Sequence, residues 1–464
     1  MRKWLVSMIL LLVLFVQAPA VFAENSNPPT EDIKKLITEK ALKYDIPPEV
    51  LKAVAFVESG YKQYDDKGEP YVTHDGGIGV MQVTPEKIDH KVDIERLKSD
   101  ISYNIDTAAQ VLNSKWDLSY LPELNDGERH VLENWYFPVM AYNGLSKVND
   151  PNLYPQTAYQ ERVFDRMEGA SLIYWAKDYF TFPKFDLRYA EGNDTVKFPV
   201  GVKYRTSTQT PSQQMYKPGD LVYVDERDGS ISLRPDLNAA VSGKLWPYTP
   251  VKIAAGNPKE SPKLNNDFVY YQIEGIAARG YVASSYLNKA DPAYTFSDPY
   301  TDERAAALYY LAHNDYVKGY PNGSFGSNQP LKREHTAVIL DKMLKMDMPA
   351  NYKMKAKDVK RDNPYYEQLS KAEYNGYLGA GGTLRPKAYL TRAQMASVMV
   401  NAFDDKYKKS AKKHVFKDQR AIWNYDAVNK LYQNGITVAD PFRPEDRITR
   451  SQFALFVYKT MVAE

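Results

Sequence analysis

The chain has 464 residues, a formal net charge of +2, 37 tyrosines and no cysteine. Such a length exceeds one ordinary hydrophobic core and implies several domains, while charges of both signs in near balance single out no particular partner. Without cysteine there is no disulfide framework and no thiolate metal site.

The N-terminus reads as an export signal. Arg2 and Lys3 precede an apolar run from Trp4 to about Val16, and Ala18, Ala20 and Ala23 supply small residues before a cut after Ala23, so residues 1–23 are expected to be a signal peptide. The run is short for a membrane span, although an uncleaved anchor is the competing reading. After cleavage the chain is expected outside the membrane, with no membrane partner. Export without disulfides fits the exterior of a Gram-positive bacterium.

Helical periodicity follows at Ile33 to Tyr44, Pro47 to Ser59, Ile101 to Trp116, Glu128 to Tyr142 and Thr157 to Tyr179, giving a helical domain over 30–181. Residues 182–218 are rich in Pro, Thr, Ser and Gln and read as a linker or a loosely packed wrap. From Gly219 the pattern changes to short alternating strands, at Leu221 to Val224, Pro250 to Ile253, Phe268 to Ile273 and Gly280 to Val282, which predict a small β-barrel over 219–290. A repeat fills the remainder. Its three units, 294–345, 352–404 and 414–464, open around Asp298, Asp358 and Asp418, and each holds a helix, a Gly-containing turn, an extended element and a closing helix. The three aspartates are expected to cap or shape turns. Lys406, Lys408, Lys409, Lys412 and Lys413 form a basic run between the last two units, expected to be a solvated linker.

The stretch PPEVLKAVAFVESG carries the sharpest chemical signal. Pro47 or Pro48 suits a first helical turn and Gly60 a stop, and Glu58 shares the apolar face of Leu51, Val54 and Ala55. A carboxyl turned toward a core is costly when charged, so burial raises its pKa and makes it a proton donor near neutral pH. The bland alternative is an exposed glutamate in the last turn.

Taken in order, Glu58-Ser59-Gly60, then GIGVMQVTP at Gly77 to Pro85, then a helix at Asn104-Ile105, then Ala141-Tyr142-Asn143-Gly144, the chain resembles the soluble lytic transglycosylase and goose-type lysozyme superfamily from about Lys34 to Lys177. The resemblance implies an α-helical lysozyme-like fold, with Glu58 as catalytic acid and Ser59, Met81, Gln82, Tyr142, Asn143 and Tyr159 as substrate-binding residues. It implies peptidoglycan glycan strands as substrate and no cofactor. The bond cut would be the β-1,4 bond between N-acetylmuramic acid and N-acetylglucosamine, leaving 1,6-anhydro ends. The sequence departs from the family where Gly144-Leu145 replaces the commoner Ala-Gly. Goose-type lysozymes carry an aspartate where Thr84 stands, which favours the transglycosylase over a hydrolytic muramidase. Asp65, Asp66, Glu69 and Asp75 lie in the intervening loop, and one of them reaching the cleft would restore the two-carboxylate arrangement of hydrolases. A non-catalytic wall-binding surface protein is the reading from another class.

SISLRPDLN at Ser230 to Asn238 and GYVASSYL at Gly280 to Leu287 resemble a bacterial SH3-like domain, either a reader of wall ligands or a rigid spacer. The repeats resemble S-layer-homology domains, which implies a pseudo-threefold packing, a secondary cell-wall polymer of the kind that often bears pyruvate ketals as partner, and a place in the cell wall or S-layer. Arg offers paired donors to a ketal carboxylate. The family motif stands as Thr391-Arg392-Ala393-Gln394 and Thr449-Arg450-Ser451-Gln452, and as Lys332-Arg333-Glu334-His335 without the threonine in the first unit. Arg333, Arg392 and Arg450 are therefore the expected polymer-binding residues, against the alternative of surface salt bridges. His74, His90, His130, His313, His335 and His414 are scattered without ligand spacing, so no metal site is expected. Export and the lack of any recognised motif argue against nucleic acid.

Overall fold

Pro47 and Pro48 break the chain between its first two helices, α1 (Thr30–Lys43) and α2 (Pro48–Ser59), and the pair starts the N-terminal unit. The computed structural model describes residues 26–171, 179–225, 231–234, 237–275, 279–298, 300–379, 382–408 and 412–462; the expected signal peptide and part of the Ser230 to Asn238 stretch lie outside them. Four more helices complete the unit: α3 (Ile94–Ser99), α4 (Ile101–Trp116), α5 (Tyr136–Asn143) and α6 (Tyr159–Ser171). Asp93 and Asp100 cap α3 and α4 by accepting backbone N–H bonds from Arg96 and Tyr103. Each helix turns an apolar stripe inward, and Ile37, Val50, Leu51, Val54, Ile105, Leu112, Phe137, Met140 and Val163 form one core.

Residues 179–214 lie over this helical core. Phe182 and Phe185 pack on Tyr136, Phe198 and Phe185 on Phe137, and Phe180 and Phe182 on Phe164. Short pairings hold the path, with Glu123–Leu124 running parallel to Lys203–Tyr204. Buried Glu133 accepts from the Thr210 backbone N–H at 2.7 Å and from its hydroxyl at 2.7 Å. Aromatic spacing, rather than helix or strand periodicity, carries this segment onto its neighbour.

The strand-rich region follows. Its main sheet has the strand order Gly280–Ala283, Val269–Glu274, Pro250–Ile253, Leu221–Val224, Leu287–Lys289, all antiparallel, with Lys259–Glu260 pairing on Val269–Tyr270. Inward residues alternate as the pleat requires, and Val222, Val224, Val251, Ile253, Val269, Tyr271, Ile273, Val282 and Leu287 make its core. Gly280 is needed because a Cβ there would sit 2.7 Å from the Arg234 carbonyl oxygen.

A buried polar seam joins the strand-rich and helical regions. Lys34 lies 3.1 Å from Asp267 and Arg166 lies 2.7 Å from it, while Lys52 lies 2.7 Å from Glu260. Thr38 donates to Glu260 at 2.6 Å. Both lysines and both acids are almost completely buried.

The C-terminal part is helical: α7 (Glu303–His313), α8 (Arg333–Leu344), α9 (Tyr366–Tyr374), α10 (Arg392–Ala402), α11 (Tyr425–Gln433) and α12 (Arg450–Val462). The last helix of each unit packs on the first helix of the next: α8 on α9, α10 on α11, and α12 back on α7. The extended elements make the same circuit in hydrogen bonds. Leu331 N donates to Ile448 O at 2.9 Å, Ile448 N to Leu390 O at 3.0 Å, and Leu390 N to Leu331 O at 3.0 Å. Asp298, Asp358 and Asp418 each accept two backbone N–H bonds from the closing element of their own unit. These carboxylates shape turns, and hydrogen bonding to the charged form keeps Asp298 and Asp358 below the usual range against the opposing effect of burial. Among the described residues no helix is long and apolar enough to cross a membrane.

Candidate active site

The apolar face of α2, with Leu51, Val54 and Ala55 buried, carries Glu58 one turn further on, where the core gives way to a cleft of about 300 Å³. The helix ends at Gly60 in the left-handed region, at φ 65°, where a side chain is disfavoured. Glu58 is half-buried. Burial pushes its carboxyl up to about 7, Asp75 pushes the same way, and a hydrogen bond from Tyr159 together with the charges of Arg162 and Lys87 pulls it back. The Tyr159 hydroxyl donates to Glu58 Oε1 at 2.6 Å. A carboxyl so poised can give a proton and take one back near neutral pH.

The opposite lip is the turn after Thr73, built by close backbone approach. A Cβ on Gly79 would meet Gln63 Oε1 at 2.5 Å and Asn104 Nδ2 at 2.6 Å, and one on Gly77 would meet Gln82 Oε1 at 2.6 Å. Gln63 and Asn104 are buried and splint this turn: Val80 N donates to Gln63 Oε1 at 3.1 Å and Met81 N to Asn104 Oδ1 at 3.1 Å. Gln82 faces the cleft, its side-chain oxygen 2.7 Å from the Thr73 hydroxyl and its amide donating to Gly79 O at 2.9 Å.

The third wall is the end of α5. Tyr142 and Asn143 line the cleft, and Asn149 donates to the side-chain oxygen of exposed Asn143 at 2.9 Å. The Tyr142 hydroxyl donates to Met81 O at 2.9 Å. Burial raises both Tyr142 and Tyr159 far above the ordinary phenol range, so each stays a neutral donor.

The expected site residues thus divide. Glu58, Gln82, Tyr142 and Asn143 line one cleft, and Tyr159 meets it through its bond to Glu58. Met81 and Ser59 are not among the residues that line the cleft. The Met81 side chain is fully buried in the core, and its backbone carbonyl anchors Tyr142. Ser59 donates to Val80 O at 2.7 Å and accepts from Lys62 N at 3.0 Å, tying the helix end to the glycine-rich turn. Of the four loop acids, Asp75 lines the cleft, and its carboxylate is held below the usual range by the Thr73 hydroxyl. Asp65 instead accepts backbone N–H bonds from Lys67 and Glu69, and Asp66 lies 3.6 Å from Lys62.

Sequence reading missed Thr73, Lys87 and Lys115, which also line the cleft, and Gln63, which supports it. Lys115 had a signal: it lies four and seven residues beyond Val111 and Ala108 on α4, and all three reach the cleft. Gln63 and Thr73 lie in an irregular loop whose partners only the fold defines.

A second set of residues lies in the helical C-terminal part. Arg333 Nε donates to Leu384 O at 2.5 Å, Arg392 Nε to Phe442 O at 2.8 Å and Arg450 Nε to Phe325 O at 2.9 Å. Each arginine therefore reaches into the next unit, and among the described residues none is in a salt bridge. Burial lowers the pKa of all three. Thr391 and Gln394 form a reciprocal cap on α10, whereas Lys332 gives α8 no side-chain cap. Arg333 lines a groove of about 520 Å³ with Tyr377, Arg385, Tyr389 and the exposed Trp423.

Comparison with known proteins agrees with this division. Residues 35–162 match the transglycosylase SLT domain, and residues 296–337 and 415–454 match the S-layer homology domain. The chain is 27% identical over 161 residues to an S-layer protein of Bacillus licheniformis and to S-layer protein EA1 of Bacillus anthracis. It is 26% identical over 160 residues to an S-layer protein of Bacillus thuringiensis subsp. finitimus. The alignments cover 33% of this chain and 18% to 20% of those proteins, so the chain matches about a fifth of their length. The helical N-terminal region fits a lysozyme-like domain, and the chain carries a transglycosylase SLT domain followed, beyond a strand-rich region, by S-layer homology domains.

Proposed function

We propose that the protein is a peptidoglycan lytic transglycosylase that cuts the β-1,4 bond between N-acetylmuramic acid and N-acetylglucosamine, leaves 1,6-anhydro ends, and is held at the cell wall by its C-terminal repeats. The observation that carries the reading is the Glu58 carboxyl, poised at about 7 in a cleft with Gln82, Tyr142 and Asn143. The protonated acid gives its proton to the glycosidic oxygen as the bond to C1 breaks. The resulting carboxylate then takes the proton of the muramoyl 6-hydroxyl as that oxygen closes on C1. The neutral amides of Gln82 and Asn143 are suited to sugar hydroxyls and N-acetyl groups.

The hydrolytic alternative has one observation in its favour: Asp75 lines the same cleft as an ionised carboxylate. Two acids flanking the bond are the usual requirement for hydrolysis. Mass spectrometry of a wall digest separates the readings. Anhydro-muramic ends support the transglycosylase; ordinary reducing ends, one water heavier, would overturn it in favour of a muramidase with Asp75 holding the water.

The remaining assignments belong to the same reading. The strand-rich region is an SH3-like domain over 219–290, and the repeats over 294–345, 352–404 and 414–464 form a pseudo-threefold ring, a reading supported by the cyclic backbone bonds of Leu331, Leu390 and Ile448. Arg333 and Arg392 keep both terminal guanidinium nitrogens, and Arg450 keeps one beside its 3.4 Å bond to Lys318 O, for a carboxylate-bearing secondary cell-wall polymer. Export through the signal peptide and anchoring by the ring would place the enzyme at the bacterial surface, with the S-layer. A wall-gripping protein without catalysis is the remaining alternative, and a poised acid in an open cleft disfavours it.

A further inference from the structure

The cleft holds more charge than its proposed acid needs. Lys87, from the turn Pro85–Lys87, and Lys115, from the last turn of α4, both line it. Lys115 is half-buried, and neither lysine is in an ion pair among the described residues. Lys87 stands close enough to act on both carboxylates of the cleft, lowering Glu58 and Asp75 alike. Lys87 is exposed and Lys115 half-buried against the cleft wall, so their positive charge is open to an incoming anion. The N-acetylglucosamine half of a glycan strand carries no such group. The muramic half does, as the carboxylate of its lactyl ether where the strand is bare, or as peptide carboxylates where a stem is attached.

Resting on the proposed function above, we propose that Lys87 and Lys115 form a carboxylate subsite that reads the lactyl or stem-peptide acid of the muramic residue and so sets which strands the cleft prefers. The point charge of a lysine on a flexible stem suits a carboxylate whose position varies along a strand better than a rigid guanidinium fork does. Lys115 lies two turns along α4 from Ala108, which also lines the cleft, while Lys87 lies near enough to Glu58 to lower its pKa.

The test is calorimetric titration of the full chain carrying Glu58→Gln, so that nothing is cut. The ligands are neutral chitohexaose, a bare hexasaccharide of alternating N-acetylglucosamine and muramic acid, and the same hexasaccharide with stem peptides. One or both anionic strands should bind more tightly than chitohexaose, and that margin should shrink in high salt. Lys87→Met with Lys115→Met should weaken the anionic strand about tenfold while leaving chitohexaose within about twofold, and Lys→Arg at both sites should restore most of the loss. Loss confined to the bare strand assigns the lactyl acid, and loss confined to the stem-bearing strand assigns the peptide. Equal weakening of chitohexaose, or no weakening of either anionic strand, would overturn the subsite while leaving the glycan cleft intact. If none of the three ligands binds the parent, the proposed function itself fails.

Discussion

The Tyr159 hydroxyl donates a 2.6 Å hydrogen bond to Glu58 Oε1, joining α6 to the end of α2 across 101 residues of chain. It favours the ionised carboxylate and so opposes the burial that raises the acid. Buried Tyr159 is held in turn by its backbone N–H, which donates to Asn149 at 3.2 Å, beside the Asn149–Asn143 contact. Acid, tyrosine and amide are thus positioned as one unit.

Removing that bond has a definite sign. Tyr159→Phe should raise the Glu58 pKa further, moving the alkaline limb of the pH–activity profile upward by about one unit. Glycan cleavage measured from about pH 5 to 9 checks this. A limb that stays in place or moves down would mean that the phenol does not tune the acid.

Glu58 should also mark stability. Its folded pKa of about 7 lies above the model carboxyl value of 4.5, so the folded state binds this proton more tightly than the unfolded chain. The contribution is present in acid and is lost as pH rises from about 4.5 through 7. Glu58→Gln should therefore match the parent in melting temperature near pH 4.5 and exceed it by a few degrees near pH 8. Glu161, also pushed up to about 7 by burial, is shared by both proteins and cancels in the comparison. A constant difference across pH would contradict the buried-acid account.

The seam between the helical and strand-rich regions makes a separate prediction. Lys52 and Glu260 are 2.7 Å apart and almost wholly buried, so Lys52→Met should strand a carboxylate and cost about 3–5 kcal/mol. Lys52→Met with Glu260→Gln should lose much less than the sum of the single changes. Denaturant unfolding of the four proteins measures the coupling, and additive losses would mean that the pair does not lock the regions.

In the C-terminal part, Arg392 donates to Phe442 O at 2.8 Å and stacks 4.8 Å over the Phe442 ring. Arg392→Ala should destabilise the C-terminal part by about 1.5–3 kcal/mol and weaken sedimentation with purified cell wall. Arg392→Lys, lacking the planar fork, should restore little of either. Unchanged unfolding would separate the arginine from the joint between units.

Much of this site was legible in the sequence because it is local. Glu58 follows its helix stripe, and the glycines at 77 and 79 mark a turn where backbone meets side chain. Met81 shows the limit: motif position gave proximity to the cleft, while the pleat of the turn sent the side chain into the core. The seam of Lys34, Lys52, Arg166, Glu260 and Asp267 was invisible, since its members lie up to 233 residues apart and each looks like a solvated charge. Likewise the aromatic residues from Phe180 to Tyr204 have no period that announces a packed wrap.

The central claim is that Glu58 supplies the proton for glycan cleavage, and clearing of purified cell wall by the parent and by Glu58→Gln tests it most directly. The account predicts that the folded variant loses activity by about a thousandfold or more while still sedimenting with the wall. Equal clearing by the two proteins would contradict it.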